Sequence, residues 1–269
     1  MSIDMLSSTN FLLDSVLWNK RKREKIKYVS YLDTMGSLVV DRVERCGEVF
    51  KTPKGSSVWF CKNRLCPLCA CLNYTKNYNS VSELIDVVKT RYEKLDFMFL
   101  KISLDSIPFG SLGANVVALQ DMFNRIYAYK RVAAVFKGFI RFTTIECDHE
   151  SKTYNISLNA FVLVPKDYSR RTTYKRYIKR DEWLCYCNKA WNCISKRSVD
   201  FSSFKFKRLR KDTNISNMFE PFILSEDYLT GNYGTDLLVI NECSSALKNF
   251  RLLGFGGIFK ILRHEIYLG

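Results

Sequence analysis

A group of four cysteines in the first third of the chain constrains its fold more than any other feature. Its members are Cys46, Cys61, Cys66 and Cys69. The last two form a Cys-x-x-Cys turn, which brings two thiolates to one ion, and two further cysteines complete the tetrahedral site that zinc prefers. The intervening residues 48–59 contain a Pro53-Lys54-Gly55 turn that favours a β-hairpin. The spacing therefore predicts a structural zinc site, with a redox pair or simply buried thiols as the alternatives.

Whether the ten cysteines of the chain form disulfides or stay reduced depends on the compartment in which the protein is located. No apolar run reaches the roughly 18 residues that a membrane span needs. The apolar patch near the N-terminus is short, is broken by Asp14 and is followed by a basic run, which is not typical of a signal peptide. We therefore expect a cytoplasmic protein whose cysteines stay reduced and serve in metal binding or burial.

The charge balance indicates a polyanionic partner. Lys and Arg number 42 against 27 Asp and Glu, a formal net charge of +15, while 47% of the residues are hydrophobic. That hydrophobic fraction is enough for one main domain with a small appendage. The excess of positive charge favours nucleic acid over a membrane as the partner. The alternative is a soluble basic protein whose charge only aids solubility.

Hydrophobic periodicity predicts a mixed α+β fold. Alternation of apolar and polar residues predicts strands over 97–104, 138–147, 154–164 and 198–209. The second and third of these are expected to pair as an antiparallel hairpin. Helical periodicity predicts helices over 29–45, 114–136 and 181–193. The C-terminal residues 244–268 are expected to form a helix, a glycine-rich turn and a second helix.

These elements suggest three parts along the chain. We expect a basic N-terminal arm over 1–28, a zinc-binding module over 29–92 and a main domain with C-terminal helices over 93–269. The helix over 181–193 carries three more cysteines that do not share one helical face. They are Cys185, Cys187 and Cys193, and we expect them to pack rather than to bind a metal.

The strand over 154–164 carries a polar patch on one face. Its other face is apolar from Tyr154 to Val164, which predicts a strand buried on that side. Asn155, Ser157 and Asn159 follow one another at intervals of two residues and therefore line one patch of the sheet. A metal site could be built there.

Two groups of basic residues are candidates for contacts with nucleic acid. Lys62 and Arg64 lie within the cysteine-rich segment. The second group interleaves with aromatic residues, a pattern that suits a nucleic-acid backbone. It consists of Lys205, Lys207, Arg208, Arg210 and Lys211. For each of these residues the alternative is a solvated surface charge.

Several stretches together resemble the plasmid rolling-circle replication initiators of small Gram-positive plasmids, which belong to the HUH endonuclease superfamily. The first is Cys46-Gly47 with the segment from Phe60 to Cys69, and a weaker one is Tyr177-Ile178-Lys179-x-x-Glu182-Trp183. The others are Phe99-Leu100-Lys101-Ile102-Ser103-Leu104, Gly138-Phe139-Ile140-Arg141 and the C-terminal segment from Arg251 to Lys260. The resemblance implies an HUH-type antiparallel sheet with helices on one face, preceded by the zinc-binding module.

The resemblance also implies a reaction, the nicking of one DNA strand at a plasmid origin. In the family, two histidines on a central strand bind a divalent ion, which polarises the scissile phosphate. A tyrosine from a later helix then attacks the phosphorus and forms a 5′-phosphotyrosyl bond. Such chemistry depends on imidazole ligands, on neutralisation of phosphoryl charge by the ion and on the phenol as nucleophile.

This chain departs from the family pattern at the centre of that site. The positions that match the histidine-rich strand hold Asn155, Ser157 and Asn159, and the family's metal-binding acid falls on Thr144, with Glu146 two residues further on. The register around Pro221 puts Glu220 or Phe222 at the place of the tyrosine, and the nearest substitute is Tyr228. Binding of Mg²⁺ or Mn²⁺ at this place is therefore doubtful, because only one of the remaining groups is charged.

Three functions follow as hypotheses. The favoured one is a DNA-binding protein of plasmid replication or its regulation that has lost metal-dependent nicking. Its partners would be single-stranded DNA or origin duplex, with host helicase, other replication proteins or an active initiator as further candidates. The second is a working nickase that uses Glu146, the Asn/Ser patch and Tyr228. The third is an RNA-binding or structural protein on the same scaffold.

Overall fold

A computed structural model of the chain describes most of its residues and divides into two compact units. The described residues are 15–53, 55–168, 177–195, 198–201, 203–209 and 228–267, with side chains from residue 18 onwards. The first unit comprises Met1–Asn77 and Asp227–Ser244. The second comprises Tyr78–Glu226 and Ser245–Gly269.

The elements follow one another in a mixed order along the chain. The helices are α1 (Ser15–Thr34), α2 (Val40–Glu44), α3 (Pro67–Arg91), α4 (Leu112–Ala128), α5 (Lys130–Val135), α6 (Arg180–Asn192), α7 (Tyr233–Leu247) and α8 (Ile258–Tyr267). The strands are β1 (Val49–Thr52), β2 (Gly55–Val58), β3 (Leu95–Pro108), β4 (Gly138–Asp148), β5 (Thr153–Pro165), β6 (Lys205–Arg208) and β7 (Leu253–Gly257). Within the described part of the chain, no helix is long and apolar enough to cross a membrane.

In the first unit, one buried carboxylate ties residues distant in sequence to α1. Asp236, in the first turn of α7, accepts a hydrogen bond of 2.7 Å from the Tyr31 hydroxyl of α1. It also accepts hydrogen bonds from the backbone N–H groups of Thr230 and Gly231 and from the Thr230 hydroxyl. Burial alone would raise the pKa of Asp236, but these hydrogen bonds hold it below its ordinary value.

The second unit is built around an antiparallel sheet. Its strands lie in the order β6-β3-β5-β4-β7 within the described residues. The hairpin β4–β5 pairs from Gly138 opposite Leu163 to Asp148 opposite Thr153. The long strand β3 pairs with β5 on one side and with the short edge strand β6 on the other. This arrangement confirms the α+β class, the antiparallel sheet and the predicted hairpin.

The central strand β5 is buried on both faces, where the sequence predicts burial on one. The apolar side chains from Tyr154 to Val164 are covered, but so are Ser157 and Asn159 on the opposite face, at 6% and 5% exposure. Both polar residues lie among side chains of the two neighbouring strands on the same face. Ser157 lies between Ser103 and Thr144, and Asn159 lies between Lys101 and Phe142.

Helices α4 and α6 cover one face of the sheet. Phe123 of α4 packs edge-on against Phe139 of β4, and Trp183 of α6 packs against Phe206 of β6. The C-terminal helix α8 contacts the other face, where Phe259 lies near Phe97 of β3. We refer to the face with Phe97, Ser157 and Asn159 as the polar-patch face.

Three predicted elements differ from the structure. The helix predicted over 114–136 is two helices, α4 and α5, because the backbone turns to an extended conformation at Tyr129. The strand predicted over 198–209 is shorter in the structure, where β6 spans Lys205–Arg208 and the Leu209 N–H also donates to the Phe97 carbonyl. The helix predicted over 29–45 is α1, which begins at Ser15, and the separate short helix α2.

The glycine-rich segment that the sequence predicts to be a turn is the edge strand β7. Gly254 and Gly256 face β4, and a Cβ atom at Gly254 would lie 2.9 Å from Arg141 Nε. A Cβ atom at Gly256 would collide with the ring of Phe139. Glycine is therefore needed here for close approach of two strands, a reason that local turn preferences do not reveal.

Candidate functional site

The four cysteines predicted to bind zinc come together in the first unit. Their sulfur atoms all lie within 4.8 Å of one another, and all four side chains are buried. Two of the sulfur–sulfur distances are 3.6 Å, from Cys46 to Cys69, and 3.5 Å, from Cys61 to Cys69. A tetrahedral ion with Zn–S bonds of about 2.3 Å holds its sulfur atoms about 3.8 Å apart, so the geometry fits such an ion.

Local structure explains why the cysteines converge. The predicted hairpin is formed by β1 and β2, and its base closes where Gly47 N–H donates to the Trp59 carbonyl at 2.8 Å. That closure brings Cys46 next to the loop that contains Cys61. Helix α3 then begins at Pro67, a residue that suits the first helical position because its missing N–H leaves no bond unmade. Cys66 and Cys69 therefore lie at the start of this helix.

Backbone and basic groups support the cysteine cluster from outside. The N–H groups of Cys61 and Asn63 point at the sulfur atoms of Cys46 and Cys61, at 3.5 and 3.4 Å. The ammonium of Lys25 donates to the Cys46 carbonyl, and the guanidinium of Arg42 donates to the Cys61 carbonyl. Such outer contacts fix the ligands in position and are common around metal-bound thiolates.

The thiols influence one another's ionisation. The hydrogen bond from the Cys61 thiol, together with those from Cys66 and Cys69, lowers the pKa of Cys46. Hydrogen bonds with Cys46 and the other two thiols raise the pKa of Cys66. Four thiolates this close repel one another unless a cation lies between them, so the cluster is suited to a metal such as zinc. Among the residues described, it is the one group of three or more potential ligands.

The polar patch on β5 forms hydrogen bonds with side chains of both neighbouring strands. Ser157 pairs with Ser103 of β3 on one side and with Thr144 of β4 on the other, and the Ser103 and Ser157 hydroxyls share a hydrogen bond of 2.8 Å. The Asn159 side-chain amide donates to the Thr144 hydroxyl at 3.2 Å. All four of these side chains are buried.

The remaining candidate ligands lie at the edge of that patch. Asn155 accepts a hydrogen bond of 3.0 Å from the Ser106 N–H, at a bulge where Ser106 has a φ of +54°. Glu146 pairs with Asn155 across β4 and β5, and its side chain is exposed. The sheet therefore brings the predicted residues Thr144, Glu146, Asn155, Ser157 and Asn159 onto one face, with a single carboxylate among them.

Tyr228, the substitute for the family's tyrosine, lies in the first unit. It is half-buried, and its hydroxyl donates a hydrogen bond of 3.0 Å to the carbonyl of Leu65, next to Cys66. Burial raises its pKa well above the ordinary value of a tyrosine. A higher pKa makes the nucleophilic phenolate harder to form. Glu220 and Phe222 lie outside the described residues.

The predicted DNA-binding residues have different environments. Lys62 is exposed, and Arg64 is half-buried, with a pKa that burial lowers. Lys205 and Lys207 are exposed on the polar-patch face, with the Lys207 ammonium 5.9 Å from the centre of the Phe99 ring. Arg208 points to the opposite face and pairs with Asp96. Arg210 and Lys211 lie outside the described residues.

Two features were not anticipated from the sequence. Lys101 lies beside Asn159 and directly opposite Lys205 on the polar-patch face, and alternation within 97–104 was the signal that could have placed it there. The packing predicted for three cysteines of α6 holds for Cys187 alone. Cys185 and Cys193 are exposed, because they lie with Lys189 on the outer side of the helix and line a shallow surface groove.

Comparison with known proteins identifies the family. A family model described as replication protein matches residues 53–269, which is most of the chain. The chain belongs to this replication protein family. Its membership confirms the resemblance to plasmid rolling-circle replication initiators and supports a role in plasmid replication.

Individual members of the family cover almost the whole chain at low identity. The "Protein rep" of Lactiplantibacillus plantarum is 26% identical over 262 residues, covering 93% of this chain and 82% of that protein. The "Protein rep" of Streptococcus pneumoniae serotype 2 is 24% identical over 268 residues, covering 93% of this chain and 80% of that protein. No solved structure matches the chain.

Proposed function

We propose that this member of the replication protein family binds DNA in plasmid replication or its control, and that it does not nick DNA through a metal-activated tyrosine. The observation that carries the proposal is the internal pairing of the polar patch. Four polar side chains are buried where a nicking site would need free metal ligands, and they form two hydrogen-bonded pairs, Ser103 with Ser157 and Asn159 with Thr144.

The charge of the patch supports the same proposal. Glu146 is the one carboxylate among its predicted residues, and its exposed position keeps it in water. Mg²⁺ releases its own waters reluctantly and is held mainly by carboxylates and phosphates. Neutral hydroxyl and amide groups that already bond to one another offer it little. We therefore propose that the patch binds no catalytic divalent ion.

The cysteine cluster has a separate, structural role in this proposal. We infer that the four thiolates hold zinc, because a closed set of four sulfur ligands leaves no open position for a substrate or an activated water. The ion would fix the loop that carries Lys62 and Arg64. We propose that DNA phosphates contact these two residues and five further basic residues. The five are Lys205, Lys207, Arg208, Arg210 and Lys211.

The DNA partner is single-stranded DNA or origin duplex. A formal charge of +15 supplies the attraction to phosphate that either form requires. Work within a replication system would also bring the protein together with a host helicase, other replication proteins or an active initiator. We propose these partners because the chain belongs to the replication protein family.

A nickase that uses Glu146, the Asn/Ser patch and Tyr228 is the competing function. The hydrogen bond from Tyr228 to Leu65 and the raised pKa of its hydroxyl both oppose nucleophilic attack by this residue. In such an enzyme, Tyr228→Phe would remove the nucleophile and all activity. In a binding protein, the same substitution leaves DNA affinity unchanged.

The binding proposal predicts a preference for DNA with a strong dependence on salt. In competition on native gels, single-stranded or duplex DNA should displace a labelled DNA probe at lower concentration than RNA of the same length. Log affinity for duplex should fall with log salt at a slope of about −0.9 for each phosphate neutralised. A preference for RNA would contradict the proposal, and so would an affinity that does not change with salt.

A further inference from the structure

On the polar-patch face of the sheet, two lysines from different strands lie directly opposite each other. The register pairs Lys101 of β3 with Lys205 of β6, and the other neighbour of Lys101 is Asn159 of β5. Residues directly opposite in an antiparallel pair point to the same face. Lys207, two residues after Lys205, therefore adds a third ammonium group to this face.

The pairing of Lys101 with Lys205 is unfavourable when no anion is bound. Like charges directly opposite on neighbouring strands destabilise the sheet, because their Cβ atoms are only about 5 Å apart. Lys101 is also half-buried, which weakens the screening of its charge by water. The pairing therefore needs a reason other than stability of the sheet.

An arginine of the same edge strand has its charge compensated, whereas these lysines do not. On the opposite face, Arg208 of β6 forms an ion pair with Asp96 of β3. In the described part of the chain, neither Lys101 nor Lys205 forms an ion pair or a side-chain hydrogen bond. The contact of Lys207 with Phe99 also leaves its charge uncompensated.

We propose that Lys101 and Lys205 together bind a phosphate of a DNA strand that runs along the β6 edge of the polar-patch face, where Lys205 and Lys207 are exposed. The ammonium groups of these two directly opposite residues, with Lys207 about 7 Å further along β6, form a positive surface for consecutive phosphates. The bound phosphate offsets the repulsion between the lysines. Binding is therefore favoured both by the new contacts and by the loss of that repulsion. This inference rests on the proposed DNA-binding function and names where on the sheet the strand lies.

The test compares three lysine variants with a control that removes one lysine elsewhere and so matches the charge of each single variant. Lys101→Gln, Lys205→Gln and the double variant each remove positive charge from the polar-patch face and leave a neutral, polar and somewhat shorter side chain. Lys130→Gln removes one exposed charge from α5, which follows α4 on the chain and lies outside this face. Affinity for a mixed-sequence single-stranded DNA is measured over a series of salt concentrations, with Mg²⁺ present or withheld.

The double variant is expected to bind roughly tenfold more weakly and to lose about 0.7 from the salt slope, since the two lysines hold one phosphate and each phosphate contact on single-stranded DNA contributes about 0.7. Lys130→Gln should keep the wild-type slope, and Mg²⁺ should not restore the double variant. Without DNA, Lys101→Gln should melt at a slightly higher temperature than the wild type, because it removes the repulsion.

Three results would count against the inference, and they can be told apart. If the wild type binds DNA with a steep salt slope but the double variant keeps that slope, DNA lies elsewhere and the proposed function stands. If the wild type does not bind DNA, both proposals fail. A fall in the melting temperature of Lys101→Gln without DNA would also count against the inference, because it would mean that Lys101 serves stability.

Discussion

Cys66→Ser is expected to remove the metal and to unfold the cysteine module of the first unit. The Cys66 side chain is fully buried, and its sulfur lies within 4.8 Å of the other three. In small zinc modules the ion contributes about 10–16 kcal/mol to folding, so a site that loses one thiolate cannot hold its loop together. Metal content should fall to near zero, and the segment over 46–69 should become sensitive to protease.

Cys71→Ser provides the matched control. Cys71 is half-buried in α3, five positions after Cys66, and is not a member of the cluster. Its variant should keep the metal and melt close to the wild-type temperature. If Cys66→Ser instead keeps its metal content and its melting temperature, the cluster is a group of buried thiols and the zinc proposal is wrong.

The second large effect is expected from Trp183→Ala, which should lower the free energy of unfolding by about 3–5 kcal/mol. Trp183 of α6 is 1% exposed and contacts the rings of Phe136, Phe204 and Phe206, with the last at 5.0 Å between centroids. Deleting the indole leaves a cavity that these rings cannot fill without moving. Denaturant unfolding of the purified variant measures the loss.

The same substitution should also weaken DNA binding. Strand β6 pairs with only four residues of β3, and Phe206, at its centre, is held by Trp183. A loosened β6 no longer fixes Lys205 and Lys207. Trp59→Ala is the control, because Trp59 is 40% exposed beside the hairpin of the first unit and should cost under about 1 kcal/mol. Equal losses of stability in both variants would refute this role of Trp183.

Features that depend on residues close in sequence could be predicted. Alternation predicted β3, β4 and β5 and the hairpin between the last two, because an exposed turn and a period of two are local signals. The cysteine spacing predicted a cluster that the structure indeed brings together. The polar residues at 155, 157 and 159 share a face for the same reason.

Features that depend on pairing between distant segments could not be predicted. The glycine-rich segment at 253–257 carries turn residues, yet it pairs with β4 as a strand, at a place where Arg141 and Phe139 leave room only for glycine. The contact of Tyr31 with Asp236 joins α1 to α7, and nothing in either local sequence indicates it. Likewise, Lys101 and Lys205 become neighbours only through the register of β3 with β6.

The central claim, DNA binding without nicking, is tested most directly by one reaction divided between two gels. The protein is incubated with pooled single-stranded oligonucleotides and Mn²⁺, and one half is run on a native gel and the other on a denaturing gel. We predict a shifted band on the native gel and none on the denaturing gel. A band that survives denaturation would show a covalent link between protein and DNA, and its loss in Tyr228→Phe would identify that tyrosine as the nucleophile and contradict our account.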